Sequence, residues 1–157
     1  MGGVGVIDDL IRRIDRLERR LDGLVQPERP RWVDWTPTVD QDGAVAVTVT
    51  VGRYMILGDL AVVQCDLDVT AAGTAGNAII IQGQPTAIQS ANHGSIVLGI
   101  ATVNDAGTAA YVGALISNGA TEWRIRAHNT TGSVGVDPNF ALANGDAIRL
   151  SAAYERA

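Results

Sequence analysis

Apolar residues recur at Ile7, Leu10, Ile14, Leu17, Leu21 and Leu24, a spacing of three and four in strict alternation. A period of 3.5 residues gives a helix one narrow seam, and that seam is buried only against other helices. Ile7, Ile14 and Leu21 take the a positions; Leu10, Leu17 and Leu24 take the d positions. Asp8, Asp9, Arg12, Asp15, Arg16, Arg19 and Asp22 fill the outer face. The acids at 8 and 9 suit the positive end of a helix dipole, and Pro27 and Pro30 stop the helix. A helix lying on its own domain drifts at 3.6 residues per turn. The spacing therefore predicts a short parallel coiled coil over residues 4–25 that gathers several copies of the chain.

The flanking positions bear on copy number. Arg13 stands at g and Glu18 at e, so Arg13 of one helix can pair with Glu18 of the next. Ile11 and Val25, also at e, widen the apolar stripe. Isoleucine at a with leucine at d favours two strands. Against that, the run from Arg13 to Glu18 resembles the Arg-h-x-x-h-Glu signature of short trimeric coiled coils. Together with the wide stripe, this predicts a homotrimer. The rod would be only about 33 Å long at about 1.5 Å per residue. A helix of that length is marginal alone, so the domain that follows is expected to share in assembly.

Three segments follow: a coiled-coil helix at 1–26, a stiff proline-rich linker at 27–35, and a β head at 36–157. Trp32 and Trp35 lie at the linker's end and read as a hydrophobic plug at the base of the head, against a neighbouring chain. The expected oligomer interface is thus Ile7, Leu10, Ile11, Arg13, Ile14, Leu17, Glu18, Leu21, Leu24, Trp32 and Trp35. From residue 36 the pattern is strand and turn. Valines alternate through 44–51 and Gly52 breaks that run; 53–57 and 60–69 flank a Gly58-Asp59 turn. Further strands are expected at 78–82, 95–103, 110–117, 121–127 and 146–154, with Asn118-Gly119 as a hairpin signal. The predicted fold is mainly β: an antiparallel jelly-roll-like β-sandwich, with a closed small barrel as the alternative.

Composition narrows the function classes. The chain is 46% hydrophobic with only three Trp, three Tyr and one Phe, so small β-branched residues and alanine must fill a core. The net charge of −5 argues against nucleic acid as a partner. No apolar stretch is long enough for membrane insertion, and residues 1–9 lack the pattern of a signal peptide. Cys65, the single cysteine, lies in an apolar run and reads as a buried thiol.

A short N-terminal coiled coil, a proline-rich break and a Thr/Gly/Val-rich β domain resemble small virion proteins of tailed bacteriophages. The likeness is to minor tail proteins and tail-fibre tips. The residues carrying it are Trp35-Thr36-Pro37-Thr38-Val39, Gly52-Arg53-Tyr54, Gly58-Asp59-Leu60 and the closing run from Asp146 to Glu155. The resemblance implies a trimer in the virion, assembled in the host cytoplasm. Its heads would bind host cell-surface glycans or neighbouring virion proteins. Few residues precede the rod, so either the rod docks onto the particle or the protein is a capsid decoration.

Catalytic readings are weaker. His93 and His128 lie in loop-like stretches, with no Gly-x-Ser-x-Gly elbow and no cysteine set for zinc. Asp66 and Asp68 share one strand face, the arrangement a small glycan hydrolase would need, yet alternating acids usually belong to a solvated face. Trp123, alternating with Arg124 and Arg126, reads as core or as a sugar-stacking surface. No cofactor, metal or catalytic residue is expected, and the chain reads as a non-enzyme.

Overall fold

The computed structural model describes residues 12–16, 30–91, 97–128 and 130–157. The chain divides into two compact units, Met1–Pro30 and Arg31–Ala157. In the first, residues 12–16 are helical and exposed, with Ile14 47% exposed. One helical turn does not by itself make a coiled coil evident. Ile7, Leu10, Ile11, Leu17, Glu18, Leu21 and Leu24 lie outside the described residues.

The second unit is mainly β. Its strands are β1 (Val33–Asp34), β2 (Thr38–Asp40), β3 (Ala44–Val45), β4 (Val47–Leu57), β5 (Leu60–Val69), β6 (Ile80–Gln82), β7 (Val97–Asp105), β8 (Ala109–Ser117), β9 (Glu122–Ala127) and β10 (Ala147–Glu155). They form one antiparallel sheet in the order β1-β4-β5-β10-β7-β8-β9-β6-β2-β3, curled into a half-barrel. The two facing sheets of the expected jelly roll are not what the hydrogen bonding gives: one ladder network runs unbroken from edge to edge. Alternating patterns are the same for a sandwich and a curled sheet, so the sequence cannot separate them. Curvature comes from register shifts between Val49 and Val51 on β4 and between Val97 and Gly99 on β7, since a bulge bends and twists its strand.

The chain itself draws the sheet's edges together. β3 lies at one edge and β4 next to the other, yet only Ala46 separates them in sequence. Three residues carry the chain from β1, on β4, to β2, on β6. At this crossing the Trp35 amide donates to the Gly52 carbonyl (2.8 Å) and its indole N–H donates to the Gly83 carbonyl (2.7 Å). Gly52 does not break its strand as expected. It lies inside β4, where a Cβ would overlap the Trp35 carbonyl oxygen. The head also begins earlier than residue 36, because β1 falls within the expected linker.

Inward-facing side chains fill the half-barrel. Trp123, at 0% exposure, sits between Trp35 and Tyr154 in edge-to-face contacts, with ring centroids 5.6 and 5.9 Å away. Leu67, Ile81, Leu115, Ile125 and Ile148 complete the centre. Tyr154 donates its hydroxyl to the Ile88 carbonyl (2.6 Å), tying β10 to the short 3-10 turn Thr86–Ile88.

Candidate functional site

The interior is filled by core, so the surface that stands out is the sheet's outer face. Strand register aligns side chains across it in rows. One row runs Arg53, Gln64, Ser151, Ile100, Ala114 and Arg126 over β4, β5, β10, β7, β8 and β9. The next carries Asp66, Arg149, Thr102 and Val112. A sheet with one solvated face normally places polar residues there. Here Val97, Ile100 and Val112 are 64%, 65% and 55% exposed.

The relief of this face follows from its small residues. Ile100 stands as a ridge between two shallow grooves. One, of about 460 Å³, is lined by Val97, Val112, Ala114, Arg126 and His128 as well as Ile100. The other, of about 370 Å³, lies towards Thr102, Arg149 and Ser151. Gly99 and Gly113 belong to the lining of the first, and both are fixed by backbone approach. A Cβ on Gly99 would overlap the Ser151 carbonyl oxygen, and one on Gly113 the Arg126 carbonyl oxygen.

Charge is arranged at the margins. On β5, Asp66 pairs with Arg149 of β10 at 3.1 Å, and Asp68 accepts the Thr50 hydroxyl (3.1 Å). On β9, Arg124 and Arg126 point outward between the inward Trp123, Ile125 and Ala127. Arg126 forms no ion pair among the described residues. At the β4 side, Arg53 gives Gln64 Oε1 two hydrogen bonds, 3.0 Å from Nε and 2.7 Å from Nη2. The same guanidinium lies over the Trp32 ring, 4.6 Å from its centroid, a cation–π contact that fixes both groups.

Four of the residues expected at an oligomer interface, Arg13, Ile14, Trp32 and Trp35, are among the described ones. Trp32 stays on the surface, 38% exposed. Trp35, 8% exposed, is built into the head's own core. Arg13 and Ile14 lie in the other unit, on the described helical turn. The sugar-stacking alternative for Trp123 is overturned by its complete burial. Asp66 and Asp68 do share a face, one engaged with an arginine and the other with a threonine hydroxyl. Among the described residues no three His, Cys, Asp or Glu side chains gather as metal ligands; His93 lies outside them.

Sequence reasoning missed the apolar outer face. The alternation of β7 and β8 puts large apolar residues on both faces, and nothing in it tells which face is covered. No family model, no curated protein and no solved structure matches the chain.

Proposed function

We propose that this chain is a homotrimeric structural or adhesive virion protein, tail-associated, whose β heads engage host surface glycans or neighbouring virion proteins. The observation that carries the self-association part is Ile14, while the count of three rests on the Arg13-to-Glu18 run. Ile14 holds an a position of the heptad seam and stands 47% exposed on a helical turn, the state of a seam residue before partner helices cover it. The rod–break–head layout supports the virion part by resemblance alone. A β head with a filled core and a broad outer face suits a binding module.

The alternative is a capsid decoration protein, again trimeric, clamped on the shell. Both readings need a particle, and location decides between them. A cryo-EM map or immunolabelling of the particle is expected to place three copies together on the tail. Labelling confined to the capsid shell favours the decoration protein. Absence from purified particles contradicts both.

A further inference from the structure

We infer that the outer face of the head, centred on Ile100 and Val112, packs against the head of a second copy of this chain. This rests on the trimeric reading above and names the surface that completes it. A contiguous exposed apolar patch rimmed by charge is a mark of a protein interface. Three observations select a second copy as its occupant.

The first is shape. The Ile100 ridge lies between two grooves on the same face, so the surface carries both the knob and the hole that a matching copy needs. The second is charge. The β9 margin ends on the exposed Arg126, beyond Glu122 and Arg124, and the β5 margin carries the exposed Asp68 beside Asp66, which Arg149 already pairs. In a ring of copies each head meets its two neighbours through different parts of its surface. With this face turned to the axis, Arg126 of one head meets Asp68 of the next. Arg126 and Asp68 are both without an ion pair among the described residues, so each has a charge to offer. The third is extent. The five strands from β5 to β9 through β10 cover about 20 Å by 30 Å. That is about 600 Å² in projection, before side-chain relief, or about 300 Å² towards each of the two neighbours in a ring, less than the roughly 800 Å² each partner gives a standard interface, so the heads add to the rod's hold without replacing it.

The test uses the full chain and light scattering over a dilution series. Wild type is compared with Ile100→Asp/Val112→Asp on the face and Ile14→Asp/Leu17→Asp on the rod. Ile100 and Val112 are exposed, so circular dichroism should show the face variant folded. Its assembly should weaken about ten-fold or more, as expected for charges placed at an interface centre. Arg126→Glu provides a second variant that leaves the apolar residues intact, and it should weaken assembly in low salt most. A wild-type trimer whose mass and dilution behaviour neither face variant changes overturns this inference and leaves the trimer standing. A monomeric wild type overturns both.

Discussion

Gln41 is 1% exposed, and its side-chain amide is fully engaged. Nε2 donates to the carbonyls of Asn77 (3.1 Å) and Phe140 (2.9 Å), while Oε1 accepts from the Leu142 amide (2.9 Å). One side chain thereby ties the β2–β3 turn to two loops, the one before β6 and the one before β10. Gly73 and Gly135 make room for it, since a Cβ on either would overlap Gln41 or the Asn77 carbonyl. Gln41→Ala should cost about 2–4 kcal/mol, because it strands buried donors and acceptors; urea unfolding measures it. Cys65 gives a pH-dependent counterpart. Burial pushes its thiol up from an ordinary 9.0 to about 12. The folded chain thus keeps a proton that the unfolded chain gives up. Its contribution is fully present below pH 9 and is lost as pH rises towards 12. Tyr154 is raised too, by burial and then by the neighbouring Cys65, and adds to the alkaline loss. Unfolding curves from pH 8 to 11 should decline, and Cys65→Ala should flatten the decline. The buried thiol was legible in the sequence, because it sits in an apolar run. Gln41 was not: its partners lie 36, 99 and 101 residues away, and no local pattern registers such contacts.

At the scale of elements, the last strand in sequence is central in space. β10 pairs with β5 along its whole length and with β7 over Ala147–Ala152. It enters through Asp146, whose carboxylate accepts from the Ala106 and Ala143 amides, each at 2.8 Å. Truncation before Ala147 should therefore abolish the cooperative thermal transition, read by far-UV circular dichroism, whereas a frayed edge strand would lower the midpoint only slightly. Gly99→Ala should destabilise by about 1–3 kcal/mol, as overpacking against fixed backbone does. Most strands were legible from alternation and turns. β5 spans the expected 60–69, and the Gly58-Asp59 turn joins it to β4 with Gly58 at φ +61°. The very short strands β1, β2 and β3 were harder to read. Two or three residues hold no period, and these exist because the sheet edges around them supply partners. Gly52 and the two register shifts were likewise invisible, since their role is set by approach from a distant segment.

At the scale of the whole molecule, the chain carries a heptad seam in its sequence and a head with an apolar outer face. The seam was the plainest feature of the sequence; the face emerged only from strand register. Three heptads are too few to hold a trimer firmly, and a face shared between two neighbours gives each less than a standard interface. Each is expected to need the other. The rod variant Ile14→Asp/Leu17→Asp should thus weaken assembly while the head keeps its cooperative unfolding transition. The most direct measurement is the mass of the intact chain in solution by sedimentation equilibrium at micromolar concentration. The expected result is a species at three times the chain mass of 16.4 kDa, shifting towards the monomer on dilution. A species that stays at 16.4 kDa across the concentration range would contradict it.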